Sequence, residues 1–133
     1  MQKILIADDE ALILYCLSMM LENGDREVTT VASGKAALEE IKNSRYDLCL
    51  LDVHLGDMSG LEIMKIINKV SPDTKIIIMT ASEIDNQEMQ SIRENAHWFM
   101  SKPFNLFQVT SCVNRLLSQN TRLFSGEHAM VAV

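Results

Sequence analysis

At 133 residues, 47% of them hydrophobic, the chain has the size of one compact domain and enough apolar side chains for a single buried core. Twelve Lys and Arg against 18 Asp and Glu leave a net charge of −6, and the basic residues are scattered, which argues against direct binding to a nucleic-acid backbone. The longest apolar runs, such as Ala11 to Leu17, fall well short of the ~20 residues that span a bilayer, and Asp8 interrupts any signal-peptide core, so a soluble, cytoplasmic protein with no membrane contact is expected.

In chain order, Lys3 to Ala7 is a short apolar run that reads as a strand, and residues at helical spacing follow from Glu10 to Asn23, with Asn23 and Gly24 as the stop. Glu27 to Val31 reads as a second strand and Gly34 to Asn43 as a second helix started by Ser33. Asp47 to Leu51 is the third strand, and the third helix runs from Ser59 to Val70, where Ser71-Pro72-Asp73 stops it because proline lacks an amide and restricts its predecessor. Lys75 to Met79 shows no polar alternation, as expected of a strand buried on both faces, and a helix from Asp85 to Asn95 follows. His97 to Met100 is the fifth strand, and the last helix runs from Asn105 to Gln119. From Asn120 to Val133 the residues are small and polar with Gly126, then uncharged and weakly apolar, so residues 1–119 form the domain and 120–133 a tail or truncated linker. The chain is then either a stand-alone domain or a piece of something longer.

Five β-α units in succession imply an α/β fold with a parallel sheet and helices on both faces, since a parallel crossover needs a dozen or more residues. The usual arrangement of five such units is the doubly wound, flavodoxin-like (βα)5 sandwich with strand order 2-1-3-4-5. Cys16, Cys49 and Cys112 lie in apolar stretches far apart, without metal or redox spacing, and read as reduced core residues.

Ligands in such a fold bind at the carboxyl ends of the strands. Asp8 and Asp9 follow strand one, Asp52 follows strand three, Thr80 strand four, and Lys102 with Pro103 strand five; the end of strand two offers only Ala32 and Ser33. Strand order 2-1-3-4-5 puts the three acids in one pocket, where like charges a few ångströms apart repel by roughly 4 kcal/mol at an effective dielectric of 20. Such a site must protonate or bind a cation, and Mg2+, which takes six oxygens and keeps some waters, suits it. Taken singly, each acid could be an ordinary loop or cap residue, Thr80 a strand end and Phe99 a core aromatic; the weight lies in their convergence.

Ile4-Leu5-Ile6-Ala7-Asp8-Asp9-Glu10, Leu50-Leu51-Asp52, Met79-Thr80-Ala81 and Ser101-Lys102-Pro103-Phe104, in this order, resemble the receiver domain of two-component response regulators over about residues 1 to 119. The resemblance implies a signalling switch rather than an enzyme with a diffusible product. Asp52 would accept a phosphoryl group from a sensor histidine kinase, a histidine phosphotransfer protein or a small phosphodonor, and would take part in its own dephosphorylation. Asp9 would bind Mg2+ directly and Asp8 largely through water, with Asp52 and the main-chain carbonyl of His54 completing the protein ligands. Lys102 would contact a phosphoryl oxygen, Thr80 would turn inward to the phosphate, and Phe99, the switch aromatic, would follow and reshape the surface of helix four, strand five and helix five. A phosphorylation-dependent homodimer is compatible with this scheme. The Lys102-Pro103 bond would be cis, as in the family.

This chain departs from the family pattern after the phosphoacceptor, where Leu55-Gly56-Asp57-Met58-Ser59-Gly60 replaces the usual Met-Pro and leaves a less restricted loop. His54 and Ser82 stand where the family tunes the lifetime of the phosphoryl group. His97 and His128 have no partner at metal spacing and read as structural. In the first helix, Ile13, Cys16, Leu17 and Met20 would face the sheet and Leu12, Leu14, Tyr15 and Met19 the outside, an unusually apolar outer face. Packing against the fifth helix or the tail would explain it, and so would a partner: Leu14, Tyr15 and Ser18 are the candidate contacts for the helical bundle of a kinase or phosphotransfer protein. Two rival classes fit less well. A phosphohydrolase of the haloacid dehalogenase kind wants an acid two residues after its nucleophile, where His54 stands, and a flavin binder wants a hydroxyl- and glycine-rich loop where Asp8-Asp9-Glu10 stands.

Overall fold

The computed structural model describes residues 1–118, so the tail read at 120–133, with His128, lies outside the described residues. Strands and helices alternate: β1 (Gln2–Ala7), α1 (Ala11–Leu21), β2 (Arg26–Val31), α2 (Gly34–Asn43), β3 (Leu48–Asp52), α3 (Gly60–Val70), β4 (Lys75–Thr80), α4 (Asn86–Asn95), β5 (Trp98–Ser101) and α5 (Leu106–Ser118). The strands form one parallel sheet in the order β2-β1-β3-β4-β5, the flavodoxin-like architecture read from the alternation.

The apolar runs explain the layering. Ile4 to Ala7, Leu48 to Leu51 and Ile76 to Met79 are buried on both faces, at roughly 1.5–3 kcal/mol for each large aliphatic side chain taken from water. β2, at one edge, carries Arg26, Glu27 and two threonines and is only half-buried. β5, at the other edge, buries Trp98, Phe99 and Met100. The Ser33 and Ser59 hydroxyls accept from the Ala36 and Leu61 amides, and Asn105 Oδ1 accepts from the Phe107 amide, as expected of helix starts. Ser71 closes α3, its amide donating to Ile67 O. His97 frames the start of β5, exchanging bonds with Ile76 through its amide and its Nδ1. Among the described residues no helix is long and apolar enough to cross a membrane.

Three details differ from the sequence reading. α1 ends at Leu21, not Asn23: a tight turn follows in which Asn23 Oδ1 accepts from the Asp25 amide, and Gly24 does not adopt a positive φ, so the asparagine side chain closes the turn in place of a glycine cap. Leu14 is half-buried against the core rather than outward, because α1 leans on both the sheet and α5. Cys16 and Met20 are likewise only half-buried, Met20 sulfur accepting from the Thr110 hydroxyl of α5, whereas Cys49 and Cys112 are buried as expected. Burial pushes both of those thiols upward.

Candidate functional site

The parallel register aligns the strand ends. Ala7 pairs with Leu51, Asp52 with Met79 and Thr80 with Ser101, so Asp8, Asp52, Thr80 and Lys102 arrive side by side at the carboxyl edge. Backbone bonds fix them there: the Asp8 amide donates to Val31 O, the Val53 amide to Met79 O and the Lys102 amide to Thr80 O. α3 begins directly against this edge, and Gly60 is required for it, since a Cβ at that position would lie 2.1 Å from the carbonyl oxygen of Asp52. The Lys102–Pro103 bond is cis.

Lys102 organises the charges. Its Nζ lies 2.6 Å from Asp8 Oδ2, 2.8 Å from Glu10 Oε1 and 3.1 Å from Asp52 Oδ2, with its side chain only 7% exposed. Burial works against the ammonium, but its charged contacts with the carboxylates of Asp8, Glu10 and Asp52, which accept from it, outweigh burial and hold Lys102 above its ordinary range. Asp8 is fully buried, and that desolvation lifts its carboxyl above the usual range although Lys102 and the Glu10 amide pull the other way. Asp52 Oδ1 accepts from the His54 amide at 3.1 Å, which leaves Oδ2 toward Lys102. The Thr80 hydroxyl accepts from the Ser82 amide and is buried with its residue.

Carboxylate oxygens of Asp8, Asp9, Glu10 and Asp52 lie within 4.8 Å of one another. Four hard oxygen donors of this kind fit a divalent cation such as Mg2+, and the buried Asp8 is the member with most to gain from one. The expected Asp8, Asp9, Asp52, Thr80 and Lys102 are therefore brought together. Phe99 is placed in the core beneath them, next to Ile78 of β4. His54 is exposed at the loop start, and of its groups the amide is the one tied to Asp52. Tyr15 is 64% exposed, with Leu12 and Met19 beside it at 71% and 66%, whereas Leu14 and Ser18 are half-buried.

Glu10 was absent from the expected set. It sits at the start of α1, where an acid suggests a helix cap, yet its side chain caps nothing and turns to Lys102. The signal was its place as the third acid in a row after a strand. Asp57 was missed as well: its carboxylate spans to α2, accepting from the Gly34 and Lys35 amides. A groove of about 990 Å³ between α2 and α3, bordered by Leu38, Ile41, Ile66 and Val70, contains none of the strand-end residues.

The buried acid pair and lysine at the carboxyl edge of a doubly wound parallel sheet define an α/β domain with its charged site at the strand ends. Residues 4–114 match the response regulator receiver domain, and the chain belongs to that family. It is 31% identical to the DNA-binding transcriptional regulator NtrC of Azospirillum brasilense over 89% of this chain and 24% of that protein. With the chemotaxis protein CheY of Thermotoga maritima it shares 28% identity over 86% of this chain and 97% of that one. Among solved structures, the response regulator TrrA of Thermotoga maritima, in complex with Mg2+–BeF, superposes with a TM-score of 0.78 at 33% identity, over 88% of this chain and all of that one. The chain spans between about a quarter and just over half of the first curated relatives it matches, 24% of one and 56% of the next.

Proposed function

We propose that this receiver domain accepts a phosphoryl group on Asp52 and signals by a change of surface. The observation that carries the reading is the Asp52 carboxylate, 3.1 Å from the Lys102 ammonium at the sheet edge, in a cluster of oxygens suited to Mg2+. Oδ2 of Asp52 attacks phosphorus of a phosphohistidine on a sensor kinase or phosphotransfer protein; the P–N bond breaks, the imidazole keeps the electron pair, and an acyl phosphate forms.

Asp8, Asp9, Asp52 and the His54 carbonyl would hold Mg2+, which when bound offsets the charge between carboxylate and phosphate. Lys102 donates to a phosphoryl oxygen, so it must leave at least one of its three carboxylates. Thr80 gives up its place at the Ser82 amide and donates its hydroxyl to the phosphate. Phe99, adjacent through the β4–β5 pairing, responds, and the α4-β5-α5 surface changes for a downstream protein or a second copy of the chain. The same site later directs water to the acyl phosphate, which returns Asp52 to its resting form. The exposed α1 face around Tyr15, with Leu14 and Ser18, is the docking surface for the phosphodonor.

The test is intact-mass analysis of wild type and Asp52→Asn after incubation with a small acyl phosphate, with Mg2+ and with chelator. A single Mg2+-dependent, alkali-labile phosphoryl adduct on wild type alone supports the reading. Failure to form either that adduct or a beryllofluoride complex would overturn it.

A further inference from the structure

Residues 53–59 connect the phosphoacceptor strand to α3, and their anchoring is uneven. At the inner end the Val53 amide donates to Met79 O, the Gly60 amide donates to Val53 O at 2.8 Å, and Leu55 is buried in the core. The outer end has Gly56 at φ 84 with open space around it, so neither side-chain packing nor a proline ring restricts the apex.

Within the loop the Leu55 amide donates to Met58 O at 3.4 Å and His54 pairs with Ser59, and Asp57 adds a restraint from outside the loop. Its Oδ1 accepts from the Gly34 amide at 2.8 Å and its Oδ2 from the Lys35 amide at 2.9 Å, two first-turn donors of α2 that have no partner within the helix. The local cap Ser33 already serves the Ala36 amide, so Asp57 does not duplicate it. Gly34 permits the approach: a Cβ there would lie 2.1 Å from Met58 Cγ and 3.1 Å from Asp57 Oδ1. The carboxylate thus spans more than 20 positions of sequence to pin the β3–α3 loop to the preceding helix, α2. Between this pin and Asp52 stands His54, whose amide donates to Asp52 Oδ1.

We propose that Asp57 is a positioning residue: by gripping the first turn of α2 it holds the β3–α3 loop in place and so sets the affinity of the strand-end site for Mg2+. The proposal rests on the reading of that site as a Mg2+-assisted phosphoacceptor. Without the grip, the outer residues 56–58 are held less firmly, and their ordering when the cation binds is subtracted from the binding free energy.

The experiment is calorimetric titration of the unphosphorylated full chain with Mg2+, for wild type, Asp57→Ala, Asp57→Asn and Ser33→Ala. Expected are an about tenfold weaker Mg2+ affinity for Asp57→Ala, an intermediate loss for Asp57→Asn, which keeps one acceptor oxygen, and an unchanged affinity for Ser33→Ala. Adduct formation by Asp57→Ala should recover the wild-type rate at saturating Mg2+. Should Asp57→Ala fold poorly, Asp57→Asn carries the comparison. Wild-type affinity in the folded Asp57 variants overturns the proposal, and so does an equal loss in Ser33→Ala, which would reduce Asp57 to a helix cap. A wild type that neither binds Mg2+ nor forms an adduct overturns the phosphoacceptor reading itself, an outcome distinct from both.

Discussion

The Lys102 ammonium lies 2.6 Å from the Asp8 carboxylate, and both side chains are almost wholly withdrawn from water. The pair is nevertheless unequal in charge, because Glu10 and Asp52 share the same ammonium. Burial therefore leaves Asp8 binding its proton more tightly in the folded chain than in the unfolded one.

That sign fixes a pH dependence. The favourable contribution of protonated Asp8 is fully present below the ordinary value of 3.8 and is lost as pH rises through the higher folded value. Asp8→Asn removes the ionisation, and Lys102 retains Glu10 and Asp52 as partners. Urea denaturation should show the variant more stable than wild type at pH 7, with the advantage smaller at pH 4. An equal difference at the two pH values would contradict the assignment to Asp8.

Gly60 tests the contact between α3 and β3, the strand that ends in Asp52. An alanine Cβ would meet two backbone atoms of Asp52, its carbonyl oxygen at 2.1 Å and carbon at 2.9 Å, neither of which can swing aside. Gly60→Ala should cost ~2–3 kcal/mol in chemical denaturation and slow adduct formation at Asp52. Gly24→Ala, where nothing lies within 4 Å, should stay within about 0.5 kcal/mol of wild type. Equal midpoints for the two variants would mean that α3 can slide away freely.

The outer face of α1 separates into two kinds of position. Leu14 packs on the core while Tyr15 is 64% exposed, so Leu14→Glu should lose ~2 kcal/mol of stability and Tyr15→Glu should stay within about 0.5 kcal/mol. Tyr15→Glu together with Met19→Glu should then slow transfer from a cognate kinase at least tenfold while leaving phosphorylation by a small acyl phosphate unchanged. Kinase transfer at the wild-type rate in that folded double variant would remove α1 as the docking face.

Most of the sheet was legible because its strands are short apolar runs that end in chemistry: Asp52 closes β3, Thr80 closes β4, and a parallel register brings such ends together. Cap residues with one local job, Ser33 and Ser59, were legible for the same reason, since the bond lies within three residues of its acceptor. Contacts across the fold were not. Asp57 reaches α2 and Glu10 reaches Lys102, and in both cases the sequence offers an acid near a helix start without saying which helix or which cation it serves. Leu14 was misplaced because helical periodicity assumes one buried face, and α1 has two neighbours, the sheet and α5.

Trp98 is the chain's single tryptophan, it is buried at the start of β5, and the next residue is Phe99. The molecule thus contains its own fluorophore one peptide unit from the aromatic assigned to the switch. Emission from unlabelled protein, followed in a stopped-flow mixer with phosphodonor or beryllofluoride, reads β5 without a background from any second indole, so motion of that strand can be timed against chemistry at Asp52.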